Sequence, residues 1–254
     1  MIAVTDWARL LIVCVVFTIA AGAIAWATGL TTPRPFLAAA ARAVLQLAAV
    51  SAVITVVLRH LGLVGVFLVV MAVVATATSA ARSRTGKRGI WVAVAILIGT
   101  VPALALLILI GLLPVTGIAL IPVGGILIGG AMTATTLSTR RALDALRDRH
   151  GEYEAALALG FLEPTAARLI IRHPAADALL PALDQTRTVG LVTLPGAFVG
   201  MLLGGAPVWQ AGALQIVVLL ALLAVEVAAV ATVVELVARG LIRRTSHQGE
   251  VRLT

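Results

Sequence analysis

Apolar runs long enough to cross a bilayer recur along this sequence, and charge is confined to the gaps between them. A helix needs about twenty apolar residues to traverse a hydrocarbon core roughly 30 Å thick. Runs of that length, or close to it, occupy residues 7–30, 36–58, 61–78, 90–113, 118–138, 188–205 and 213–238. The pattern predicts an all-α, polytopic transmembrane bundle of about seven spans. One membrane domain then covers residues 1–254, and a helical insert at 138–187 lies outside the bilayer. A soluble domain is excluded by 61% hydrophobic residues and a mean hydropathy of +1.11. Ala25-Trp26-Ala27 has the form of a signal-peptidase site, but Asp6 and a lone Arg9 make a poor basic flank, so the first run is expected to be a span.

The net charge of +8 would suggest nucleic acid in a soluble protein. Here the basic residues sit in short loops, where they orient a membrane protein, and no nucleic-acid partner is expected. If the loop at 79–89 faces the cytoplasm, so do Arg34, Arg82, Arg84, Lys87, Arg88, the arginines from Arg140 to Arg187, and Arg239, Arg243, Arg244 and Arg252. Only Arg9 and Arg59 then face outward, and Arg42 lies within a span. The imbalance predicts a multi-pass protein of the cell membrane with its N-terminus outside and its C-terminus in the cytoplasm.

Cofactor chemistry has little to stand on. Cys14 is the only cysteine and lies in an apolar run, and His60, His150, His173 and His247 are scattered singly, so neither a disulfide nor a zinc site is expected. Gly86-Lys87 lacks the preceding glycine and the following Ser or Thr of a phosphate loop. No paired aspartates, H-E-x-x-H or serine–base constellation in the spans suggests an enzyme.

Residues 138–160 have amphipathic periodicity, with Leu143, Leu146, His150, Tyr153 and Leu157 on one face. Gly160 should end this helix, and Pro164 should open another that runs to a break at His173-Pro174. Within the insert Glu154-Ala155-Ala156, three residues and then Gly160 resemble the EAA loop of ABC-transporter permeases, although Arg172-His173-Pro174 stands where that motif closes with Leu-Pro. The segments 180–196, 121–125 and 130–133, with Arg42-Ala43-Val44-Leu45-Gln46-Leu47, resemble the FetB-type family of iron-export permeases, whose plant relatives are linked to aluminium tolerance. The likeness runs from about Arg42 to Ile216. Two positions depart from the family pattern: Gly130, where an asparagine is expected, and Glu226, an acid in a span that relatives fill without one.

The resemblance implies a permease subunit of an ATP-driven exporter of iron or a related metal ion. Its partners would be a second copy of the chain and a cognate ATPase subunit that carries ATP and magnesium, so no cofactor is expected in this chain. Glu154, Ala155, Ala156 and Gly160 would couple the two subunits. A permease for another small solute, including an importer, is the alternative. Gly125 and Gly129, continued by Thr133, and Gly200 and Gly204, with Gly196, form small-residue stripes suited to helix packing in lipid. Leu194-Pro195-Gly196 should break its helix and free a carbonyl, which makes Thr193, Pro195 and Gly196 candidates for a pathway wall. Gln46, Met132, Thr133 and Glu226 complete the candidate translocation residues, with Thr136 and Met201 as weaker oxygen and sulfur donors; the metal ligands themselves are unknown. Glu226 is the sharpest of these, because an acid in mid-span is costly and usually retained for function. Glu235 and Arg239, four residues apart, read as an interfacial ion pair.

Overall fold

The structure, a computed structural model, describes residues 7–244. Among the described residues it is helical throughout, with no strand beyond an isolated bridge between Val189 and Thr193. Arg252, placed above with the basic residues of the tail, lies outside the described residues. The chain divides into two compact units, Met1–Arg59 and His60–Thr254.

In the first unit, α1 (Trp7–Ala27) and α2 (Arg34–Val57) form a hairpin. Pro33 caps α2 and Pro35 occupies its first turn, where a missing N–H costs nothing. Gly22 admits Pro33, whose Cβ would lie 3.2 Å from an added Cβ. Most of the apolar side chains of both helices are exposed, as lipid-facing surface should be.

The second unit is built on α3 (Leu61–Ser83), α4 (Ile90–Leu109), α5 (Gly117–Asp148) and α10 (Val208–Ala238). Leu68 packs against Gly124 and Met71 against Gly125, and the hydroxyls of Thr136 and Ser79 are hydrogen-bonded at 2.9 Å further on, so α3 and α5 run parallel. Gly130 meets Leu222 and Glu226, and Arg244 Nη2 donates to Asp144 Oδ1 at 2.7 Å, so α5 and α10 also run parallel. The helix α4 follows α3 through a short turn and crosses α10 where Gly99 lies against Val225 and Ala228. Its Pro102 stays inside the helix. The C-terminal ends of α3, α5 and α10 therefore gather at one end of the unit, with Arg84, Arg147 and Arg244 around one hollow.

Because α5 and α10 are parallel, the chain between them must return from one end of the unit to the other. The return begins at that shared end with α6 (His150–Ala158) and α7 (Glu163–Ala176). It then runs through a 3-10 turn at Asp177–Leu179, α8 (Leu180–Thr188), a turn at 189–195 and α9 (Gly196–Leu203). Among the described residues six helices are long and apolar enough to cross a membrane, and the return segment is not among them. This corrects the seven-span expectation: the predicted span at 188–205 holds only the eight residues of α9, about 12 Å of helix. Gly190, at φ +83°, turns the chain after α8, and Pro195 caps α9, so no continuous helix forms across this stretch.

Two further boundaries differ. The fifth run does not stop at 138, because α5 continues to Asp148, about 48 Å for 32 residues. Its hydroxyl residues do not break it: Thr136 Oγ1 bonds the carbonyl of Met132, and Thr135, Ser138 and Thr139 are buried. The predicted helix 138–160 is instead two, kinked at Arg149 (φ −110°, ψ 34°), and Gly160, at φ +90°, ends the second as expected.

The other boundary is at Pro174, which does not end α7. A proline there leaves the carbonyl of Ile170 without its helical donor. Arg149 Nη1 reaches that carbonyl at 3.4 Å, while Arg149 Nε donates to Glu152 Oε1 at 2.7 Å. One guanidinium thus joins the start of α6 to the proline-weakened turn of α7. The same bond holds the Glu152 carboxyl below the usual carboxylate range. Its contribution is present at neutral pH and is lost as pH falls through that depressed value. Arg149→Ala should leave the membrane helices folded but speed tryptic cleavage at Arg168 and Arg172; wild-type cleavage kinetics would remove Arg149 from this role.

Candidate functional site

Carboxyl and amide side chains are scarce inside the second unit, where Gln215 and Glu226 are the buried ones among the described residues, which makes their placement informative. Glycines at 129 and 130 strip side chains from one face of α5. An ideal Cβ on Gly130 would overlap Leu222 Cδ1 and lie 2.6 Å from Glu226 Oε1, whereas one on Gly129 would meet nothing within 4 Å. Gly130 thus seats the Glu226 side chain against the α5 backbone, and Gly129 opens onto empty space. That space is a cavity of about 290 Å³, between the middle of α5, the segment 178–185 and the middle of α10.

Oxygen atoms line it from all three elements. Thr133 contributes a hydroxyl that donates to the Gly129 carbonyl at 3.0 Å and keeps its lone pairs available. Gln185 brings an amide from α8, and Glu226, 8% exposed, brings a carboxyl from α10. The rest is small or apolar, including Ile126, Ala134, Ala178, Pro181, Ala182 and Leu222. Among the described residues, no three His, Cys, Asp or Glu side chains come together. The arrangement offers a few oxygen donors of different kinds.

Of the residues singled out in the sequence, Gly129, Thr133 and Glu226 meet here. Gly130 and Glu226, the two departures from the family pattern, prove to be direct neighbours. Met132 is half-buried elsewhere on α5, and Gly125 packs against Met71 Cε, a helix-packing contact with α3. Thr193, Pro195 and Gly196 lie in and just after the turn between α8 and α9, where Gly190 N–H donates to the Thr193 carbonyl at 2.9 Å. Gly200 has no heavy atom within 4 Å of an added Cβ, and Gly204 meets only the carbonyls of Met201 and Gly200, so their stripe is unpacked within this chain. Gln46 is exposed on α2, in the other unit.

Two polar residues of this region escaped sequence reading. Gln185 sat in a helix taken as part of the insert, and only the return path of α8 carries it to the cavity. Gln215 is 7% exposed with its Oε1 unpaired, and it lies eleven residues before Glu226, three turns along the same face of α10. That spacing was readable, because Gln215 and Glu226 are the two polar interruptions between Ala211 and Ala231.

At the shared end, Arg141 pairs with Asp177 at 3.1 Å and Arg168 with Glu235 at 3.5 Å, which fastens the insert to α5 and α10. The expected Glu235–Arg239 pair is present. Leu143, Leu146, His150 and Tyr153 line a hollow of about 450 Å³ against α7 and the end of α10, so the amphipathic face turns toward its own chain. Glu154 is exposed and pairs with His150 at 3.2 Å, Ala155 is exposed and Ala156 buried. Around Gly160, Leu159 is 79% and Leu162 75% exposed, with Phe161 between them also exposed.

The model of UPF0014, described as an uncharacterised protein family, matches residues 7–242. The chain is 37% identical over 186 residues to the UPF0014 membrane protein STAR2 of Oryza sativa subsp. japonica, covering 72% of this chain and 65% of the relative. It is 39% identical over 150 residues to the protein ALUMINUM SENSITIVE 3 of Arabidopsis thaliana, covering 59% and 55%. A third relative, the "Probable iron export permease protein FetB" of Escherichia coli (strain K12), is 33% identical over 130 residues, covering 51% and 50%. The chain thus spans between half and two thirds of the length of these relatives. No solved structure matches it.

Proposed function

The chain belongs to the UPF0014 family, and on that footing we propose that it is the membrane-spanning permease subunit of an ATP-driven transporter that exports iron or a related transition-metal ion. The observation that carries the reading is the cavity at Glu226, lined by that buried carboxyl and by the exposed side chains of Gln185 and Thr133, beside a return path that is broken rather than helical throughout. A buried acid in such a place is expensive and marks an ion path by default. The similarity to FetB supports iron as the cargo. Glu226, Thr133 and Gln185 are the first polar contacts; Thr193, Pro195 and Gly196 line the path's far side, and Gln46 and Met132 contribute in the assembled transporter.

ATP and magnesium bind on a separate ATPase subunit, which docks on the turn between α6 and α7. The exposed Leu159, Phe161 and Leu162 form an apolar knuckle at the end of an otherwise charged insert, and surface of that kind fits a groove in a partner. Glu154, Ala155, Ala156 and Gly160 hold this knuckle in shape. Two copies of the chain assemble about a two-fold axis, to which the unpacked stripe of Gly196, Gly200 and Gly204 is suited. The insert and the gathered basic ends face the cytoplasm of the cell membrane, with the N-terminus outside.

In the complex with its ATPase, iron(II) should stimulate ATP hydrolysis, and Leu162→Asp should abolish both stimulation and co-purification of the ATPase while membrane levels stay at wild type. If no transition metal stimulates hydrolysis, a permease for another solute replaces the metal reading. If Leu162→Asp binds the ATPase normally, docking lies elsewhere.

A further inference from the structure

Gln215 is the one buried amide side chain among the described residues, and nothing in the chain satisfies it. It is 7% exposed, its Oε1 is sealed from solvent, and its amide hydrogen-bonds to no described residue. A buried polar group left unpaired is destabilising, so the fold keeps this one at a cost unless something outside the chain supplies the contact.

Its position along α10 is informative. Trp209 is 76% exposed in the first turn of that helix, where an indole marks a membrane boundary, and Gln215 follows six residues later, about 9 Å along the axis. Glu226 lies about 16 Å further on the same face, and its cavity does not reach Gln215. Between the two, the helix pair is filled with apolar side chains. Val218, Leu219 and Leu222 are buried on α10, and Val123 and Leu127 occupy the same interval of α5, since Gly130 lies beside Leu222 and Glu226 in a parallel pair. On the other side of Gln215 the packing loosens, because an added Cβ on Gly212, three residues earlier, would meet no heavy atom within 4 Å. Two polar stations thus stand on one face of α10 with an apolar seal between them.

We propose that Gln215 is the release station of the export path described under the proposed function, on which this assignment rests: when the seal opens, its amide oxygen takes the cation that leaves Glu226 and gives it up at the outer boundary. With the N-terminus outside, α10 runs inward from Trp209, so Gln215 is the outer of the two stations. A neutral oxygen suits the outer position. It offers an acceptor without a full charge, so it draws a cation across the seal yet binds it weakly enough to let it leave. Glu226 loads the path and Gln215 empties it.

Iron(II) transport by proteoliposomes holding the permease and its ATPase, read together with melting of each variant in detergent, tests this. Gln215→Leu replaces an unpaired buried amide with an apolar side chain of similar size, so its melting temperature should equal or exceed the wild-type value. Its maximal transport rate should nonetheless fall roughly tenfold, the lower end of what loss of a supporting group costs a metal site. The half-saturating iron(II) concentration should not change, because loading takes place at Glu226. Gln210→Leu, at an exposed position on the same helix, should match the wild type in every measurement. A wild-type rate in Gln215→Leu would overturn the proposal. So would a lower melting temperature, which would make the amide a water-bonded part of the fold. Either result leaves the export reading standing as long as transport still depends on Glu226, whereas a wild type that moves no iron removes both.

Discussion

Glu226→Gln should abolish most metal export while leaving the protein folded and assembled. The substitution keeps the shape of the side chain and its capacity for hydrogen bonds, so the contact with the α5 backbone at Gly130 survives. What it removes is the one group in the cavity that can carry negative charge, since Thr133 and Gln185 are neutral. A site with so few donors depends on that charge. The transport rate should fall by no less than the roughly 10- to 100-fold that loss of a supporting group costs a metal site. If Glu226 serves only as a neutral hydrogen-bonding group between helices, the amide replaces it well and transport stays near wild type. Thermal stability in detergent should not separate the two proteins, which keeps a loss of transport from being a loss of fold.

The second large effect sets two adjacent glycines against each other. Gly130→Ala places a methyl group onto Leu222 Cδ1 and Glu226 Oε1, side-chain ends that must swing aside, and this overpacking, at about 1–3 kcal/mol, offsets the gain in helix propensity. Gly129→Ala meets nothing within 4 Å and replaces a poor helix former with a good one, a gain of up to about 1 kcal/mol. Thermal aggregation in detergent should thus set in at a lower temperature for Gly130→Ala than for Gly129→Ala, although the two residues are neighbours on one helix. The transport phenotypes should not follow stability: Gly130→Ala displaces the carboxyl, and Gly129→Ala only narrows the cavity. Equal stability of the two variants would mean that α5 and α10 are not in the register described.

Much of the fold is legible in hydropathy, because a chain in lipid must satisfy its backbone within each helix and marks each crossing by length alone. The six long helices fall where the apolar runs are. The return segment was misread for a local reason. Residues 188–205 have the composition of a span, but Gly190 and Pro195 forbid a continuous helix, and the need for a return follows only from the parallel pairing of α5 with α10, which is a tertiary fact. The extension of α5 was hidden by Thr135, Thr136, Ser138 and Thr139, which look like the polar end of a span. They form a buried seam instead, tied to Ser79 of α3. Pro174 looked like a stop because its rescuer, Arg149, lies outside its own helix.

The candidate site was legible in the same uneven way. Glu226 and Thr133 stood out as polar residues in apolar runs, and the glycine spacing on α5 pointed to close packing. Nothing local said that Gly130 and Glu226 would touch, or that Gln185 would leave the insert to join them. Gln46 shows the converse: an amide in an apolar run is conspicuous in sequence, yet its side chain is exposed on α2.

The most direct test of the account is iron movement in proteoliposomes holding the permease and its ATPase, with the ATPase outward and an iron-sensitive dye in the lumen. Added ATP and iron(II) should produce luminal accumulation with wild type, none with ATP omitted, and at most a small fraction of the wild-type rate with Glu226→Gln. Absence of ATP-dependent accumulation, or equal accumulation with Glu226→Gln, would contradict the claim that this chain exports metal through the cavity at Glu226.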